Sequence, residues 1–147
     1  MPLLTSDSDI DQLLRTSQTI AVVGLSANPG RDSYRVSLYM QQQGYTIIPV
    51  NPTVQEVLGA RSVPDLEQIG RPVDIVDIFR RSEHVPAIVE AAIRTGARAV
   101  WTQLGIVHEE AARRAVEAGL TVVIDRCLLI EHRRFRRRHP AGPRRGE

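Results

Sequence analysis

The sequence contains no lysine; all 19 of its basic residues are arginine. This excludes a Walker A lysine, a Schiff-base lysine and a lysine general base. Its one cysteine, Cys127, forms no internal disulfide and builds no structural zinc site. No apolar run approaches the roughly 18 residues that cross a bilayer. The opening MPLLTSDSDIDQLL is acidic early and has no basic region, so no secretory signal is expected. From these absences we read a cytoplasmic protein with no membrane partner.

Charge is unevenly placed along the chain. Net charge is +2, and residues 133–147, with seven Arg and one Glu, contribute +6, which leaves −4 for the rest. The high pI belongs to this end, not to the bulk of the chain. At 147 residues the chain suffices for one domain with its own core. The expected division is a domain over residues 1–135 and a basic tail over residues 136–147, disordered beyond about Arg136, where two Pro and two Gly fall.

Apolar runs alternate with helical patterns. Ser8–Thr16 has the spacing of a short amphipathic helix through Ile10, Leu13 and Leu14. Strands are predicted at Thr19–Leu25, Tyr45–Val50, Val73–Phe79, Arg98–Thr102 and Leu120–Asp125. Helices are predicted at Tyr34–Gln43, capped by Asp32 or Ser33, from Ser82 to Thr95, at Glu109–Ala118, and at Leu128–Arg134. Asn51–Gly70 reads as irregular, with a brief helical turn near Asp65–Ile69. The strands are apolar throughout rather than alternating, which predicts an α/β fold: a five-stranded parallel sheet covered by helices on both faces. Such sheets bind ligands at the carboxyl ends of their strands.

After the first strand comes Gly24-Leu25-Ser26-Ala27-Asn28-Pro29-Gly30-Arg31-Asp32-Ser33. A dinucleotide fingerprint, Gly-x-Gly-x-x-Gly, would need glycine where Ser26 and Pro29 stand. Small residues admit a phosphate, and Ser26, Asn28 and Ser33 supply hydrogen-bond donors. Arg31 and Arg35 supply bidentate charge, and the following helix start adds a partial positive end. Read alone, the stretch is either a phosphate loop or a turn rich in small residues. After the second strand, Asn51 and Pro52 stand where an NAD site carries an acid for the ribose hydroxyls. That suits a nucleotide with an extra ribose phosphate, or simple turn chemistry. Phe79-Arg80-Arg81 follow the third strand, an unusual place for two cations ahead of a helix unless an anion binds nearby. Gln103 and Gly105 follow the fourth, offering an amide and a close backbone approach.

Together, AVVGLSANPGRDSYRV, GYTIIPVNP, VDIVDIFRR, WTQLGI and IDRCLLIEH resemble the bacterial and archaeal CoA-binding proteins. These are single-domain Rossmann-like proteins, three-layer αβα sandwiches. They are similar to the CoA-binding domain of the succinyl-CoA synthetase alpha subunit and of nucleoside-diphosphate-forming acyl-CoA synthetases. The resemblance covers about Ile20 to His132. It implies that Gly24, Ser26, Asn28, Arg31 and Ser33 cradle the phosphates of coenzyme A. It further implies that Asn51 and Pro52 lie near the adenosine, that Phe79 and Arg80 pack along the ligand, and that Gln103 to Gly105 flank the pantetheine arm. Coenzyme A carries a 3′-phosphate, which an acid after the second strand would repel.

The resemblance implies a protein that binds CoA or an acyl-CoA without a catalytic apparatus of its own. Two other readings remain: a nicotinamide-dependent oxidoreductase, and a subunit of a split acyl-CoA synthetase with a nucleotide-binding partner. The synthetases carry a phosphorylated histidine in a separate domain, whereas His84, His108, His132 and His139 read here as surface residues, none paired for a metal or a triad. Cys127 stands where the last helix begins, beside Arg126, and reads either as a thiol able to exchange with CoA thiols or as a small buried residue. The basic stretch Arg133–Arg145 lacks interleaved aromatics except Phe135, so a solubilising role is preferred over nucleic-acid contact.

Overall fold

A computed structural model describes residues 3–140. In chain order these form α1 (Asp7–Thr16), β1 (Thr19–Val23), α2 (Asp32–Gln42), β2 (Thr46–Val50), β3 (Glu56–Val57), β4 (Ala60–Arg61), β5 (Ile75–Ile78), α3 (Val85–Thr95), β6 (Ala99–Thr102), α4 (Glu109–Glu117), β7 (Thr121–Val123) and α5 (Leu128–Arg138). The apolar runs pair as one parallel sheet in the order β2-β1-β5-β6-β7. Every residue of β1, β5 and β6 is buried, as continuous apolar strands require when both faces are covered.

Two cores result, one on each face. Ile20, Val22, Ile75 and Trp101 pack with Leu14 of α1, Met40 of α2 and Leu128 of α5. Ala21, Val23, Val76 and Ile78 pack against the other side, with Val89 and Ala92 of α3 and Ala111 and Ala115 of α4. This is the Rossmann-like three-layer sandwich, with its order reversal at the β1–β5 crevice.

Several local expectations are corrected. α2 begins at Asp32 with Arg31 in the cap position, and Ser33 turns inward instead of capping. Ser82 does not cap α3: a 3-10 turn, Ser82–His84, intervenes, and the Ser82 hydroxyl accepts the Val107 N–H at 3.0 Å. The segment read as irregular contains the antiparallel hairpin β3–β4. Its two-residue turn, Leu58-Gly59, has φ of 56° and 77°, the pattern of a tight hairpin turn. Leu58 is a poor turn residue by sequence. It is held because its side chain packs on the core and its carbonyl accepts from Gln41 Nε2 at 2.9 Å.

The last helix does not stop at Arg134, and the boundary expected after residue 135 falls inside it. Phe135 is buried, and Arg138 reaches back to α1, donating from Nε to Asp11 at 2.8 Å. These tertiary contacts order a turn that reads as a bare charge run. Residues 141–147 of the expected tail lie outside the described residues. His132 is likewise no surface residue: it is 2% exposed, with Nδ1 2.9 Å from the Tyr39 hydroxyl. His108 caps α4, its Nδ1 accepting from the Ala111 N–H, and His139 lies 3.2 Å from Asp11.

Candidate functional site

β1 lies between β2 and β5, and Gly24 is the first residue beyond its end. The Gly24 N–H donates to the Val50 carbonyl at 2.9 Å, and the Phe79 N–H donates to the Val23 carbonyl at 2.9 Å. Three strand ends are thereby tied at the switch point. Gly24 has φ +92°, and a Cβ there would stand 3.0 Å from both the Phe79 carbonyl oxygen and Arg80 Cδ. Backbone conformation and space both demand glycine.

From Gly24 the chain forms a loop that carries its own scaffold. Ser33 Oγ accepts the Ser26 N–H at 3.0 Å, Ser26 Oγ accepts the Asn28 N–H at 3.0 Å, and Asn28 Oδ1 accepts the Gly30 N–H at 2.9 Å. The expected donors thus first serve to shape the loop. Each serine hydroxyl keeps its own O–H to give. Gly24, Ser26, Gly30, Arg31, Asp32, Ser33 and Phe79 line a cleft of about 360 Å³. α2 opens onto this cleft with no side chain capping it, so first-turn N–H groups and the positive end of the helix dipole face the cavity. The Arg31 guanidinium has no hydrogen bond or ion pair among the described residues, whereas Arg35 is engaged by Asp32 and the Gly30 carbonyl. Arg80 lays its stem against Gly24.

Asn51 links this loop to a second cleft. Its Nδ2 donates to the Leu25 carbonyl at 3.0 Å, and its Oδ1 accepts from the Thr53 N–H and hydroxyl. With Pro52 it forms one wall of a cleft of about 570 Å³, and the β3–β4 hairpin forms the other through Gln55, Glu56, Arg61 and Ser62. These hairpin residues escaped the sequence reading; only Gly59 signalled a turn.

Gln103 and Gly105 lie elsewhere. Gln103 is 5% exposed and its Oε1 accepts the Leu128 N–H at 3.1 Å, capping α5 from outside the helix. Gly105 donates its N–H to Asp125 Oδ1 at 2.6 Å, and neither residue lines the two clefts. Trp101 belongs to the core, 0% exposed, with Nε1 donating to the Arg126 carbonyl at 2.8 Å. Cys127 is half-buried at the cap position of α5 and packs on the same core.

The groups whose titration is displaced lie away from both clefts. Asp77, in the middle of the sheet, is 0% exposed and burial pushes its carboxyl well above the usual range. Burial, then the charge of Arg136, lowers His132 to about 4. Among the described residues no group of three or more His, Cys, Asp or Glu is placed to hold a metal ion, and no helix is long and apolar enough to cross a membrane.

A parallel sheet whose switch point carries a glycine loop, a helix start without a side-chain cap and an arginine with no partner among the described residues has the architecture of the Rossmann-like class. The chain belongs to the CoA binding domain family, whose model matches residues 18–133. It is 47% identical over 127 residues to the uncharacterized protein YneT of Bacillus subtilis, covering 86% of this chain and 94% of that one. A hypothetical protein from Pyrococcus horikoshii is 39% identical with a TM-score of 0.87, covering 89% of this chain and 92% of the other. A dinucleotide forming acetyl-coenzyme A synthetase 1 from Ca. Korarchaeum cryptofilum, solved with phosphate and ADP, is 25% identical with a TM-score of 0.65. That match covers 78% of this chain but only 26% of the synthetase.

Proposed function

We propose that the protein binds coenzyme A or an acyl-CoA across the carboxyl ends of β1, β2 and β5, as a binding module in the cytoplasm without its own catalytic apparatus. The observation that carries this reading is the first cleft. There an α2 start without a side-chain cap, an Arg31 with no partner among the described residues and a glycine whose positive φ and close neighbours disfavour any side chain converge at the switch point. This suits a pyrophosphate held by backbone N–H groups and one bidentate cation. The second cleft, with Asn51 and Pro52 on its wall, suits the adenosine. Phe79 and Arg80 flank the path between β1 and β5, where the ligand continues. Gln103 and Gly105 would serve the pantetheine arm only indirectly, Gln103 by fixing the start of α5.

The match to a quarter of a synthetase supports a second reading, in which the module serves a synthetase-like partner. Co-purification of an acyl-CoA-dependent, nucleotide-hydrolysing partner would favour it.

Calorimetric titration with CoA and with NAD(H) tests the main reading. CoA is expected to bind, and Arg31→Ala to weaken it by about 1.5–3 kcal/mol, the scale of a charged hydrogen bond. NAD(H) binding with no response to CoA would overturn the reading, and an unchanged affinity in the variant would place Arg31 outside the site.

A further inference from the structure

The β3–β4 hairpin stands outside the five-stranded sheet, yet with its flanking residues it supplies most of the polar lining of the second cleft. Arg61, on β4, is exposed and faces no partner: its guanidinium makes no hydrogen bond or ion pair among the described residues. This holds although Glu56 stands opposite it in the hairpin register and lines the same cleft. Ser62 beside it is committed at its backbone and hydroxyl, to the Gln55 and Asn51 carbonyls at 2.9 and 3.0 Å. Those bonds fix the hairpin against the end of β2. Pro52, Val54 and Pro64 give the cleft its apolar surfaces. The cavity therefore offers apolar walls suited to a base and one uncommitted planar cation on a braced support.

We infer that Arg61 binds a phosphate carried on the ligand's ribose, and is the residue that separates a ribose phosphate from a bare ribose diol. The inference rests on the CoA reading and adds to it a specificity determinant outside the glycine loop. With a diol in the cleft, Arg61 would have nothing to pair with and Glu56 would be the group offering acceptors. With a phosphate, the guanidinium fork meets two oxygens in the plane it prefers.

The test is calorimetry on the full chain with CoA and dephospho-CoA, which differ only in the ribose phosphate, using wild type, Arg61→Gln and Glu56→Gln. Wild type is expected to prefer CoA by about ten- to a hundredfold. Arg61→Gln is expected to lose that preference, while its affinity for dephospho-CoA, which also reports that the variant is folded, changes less than about twofold. A preference that survives Arg61→Gln overturns the inference and leaves the CoA reading standing. So does wild type binding both ligands equally with Glu56→Gln weakening dephospho-CoA, since the hairpin would then read the diol. Failure of wild type to bind either ligand overturns both.

Discussion

Replacing Asp77 with asparagine should make the protein progressively more stable than wild type as pH rises. Asp77 sits on β5 between Val22 of β1 and Trp101 of β6, on the face that carries Ile75 into the core. It is 0% exposed and neither carboxylate oxygen has a hydrogen-bond partner among the described residues. Burial without a partner penalises the charged form, so the folded value lies well above the ordinary one. Below the ordinary carboxyl range both folded and unfolded chains hold the proton and nothing is lost. As pH rises through the interval up to the folded value, the unfolded chain releases the proton while the folded one keeps it. Stability then falls by about 1.4 kcal/mol per pH unit. Asparagine has nearly the same shape as the protonated acid and does not titrate. The measurement is urea unfolding of both proteins from about pH 5 to about pH 8, read as the difference between them. Contributions from Asp11 and His132 are common to both and cancel. A difference that stays flat across that range would refute the reasoning, because Asp77 would then ionise as freely in the folded protein as in the unfolded one.

Gly24→Ala should cost about 2 kcal/mol or more, from the positive φ and the overlap with the Phe79 carbonyl. Gly30→Ala, with only Asn28 Oδ1 at 3.4 Å, should cost less than about 1 kcal/mol; equal costs in thermal unfolding would contradict the close approach at Gly24. His132, depressed from 6.5 to about 4, contributes stability that is complete above about pH 6.5 and lost as pH falls toward 4, by up to roughly 3 kcal/mol. His132→Gln should lack that acid-side loss, and an identical slope in both proteins would count against it. Arg138→Ala removes the hydrogen bonds that hold the 4%-exposed Asp11 carboxyl below its usual range and should destabilise by about 2 kcal/mol. Arg137→Ala, on the exposed side of α5, should stay within about 0.5 kcal/mol in the same denaturant assay.

Much of the scaffold was readable from local pattern. The five strands and their crossover helices announced themselves because continuous apolar runs bounded by Gly and Pro are short-range features. Gly24 and Arg31 were readable for the same reason: a strand end entering a small-residue loop before a helix is a contiguous signal. The hairpin was not, since two-residue strands show no period and Leu58 does not look like a turn residue. Ser33, Asn51 and Gln103 were recognised as polar groups at strand ends, but the partners they bond lie 7, 26 and 25 residues away. Spacing along the chain carries no information about such pairings.

The sequence by itself determined the α/β alternation, the glycine that opens the loop at the end of β1, and the missing acid after β2, because each is set by neighbouring residues and backbone sterics. The tertiary structure decided which strand ends meet and which side chains remain uncommitted once they do. It committed Ser33 to the loop, Asn51 to Leu25 and Gln103 to α5. It also buried Asp77 without a partner among the described residues, folded Arg138 back on Asp11, and left Arg31 and Arg61 facing open clefts. A polar group is available to a ligand only when the fold has not already satisfied it, and that depends on residues distant in the chain.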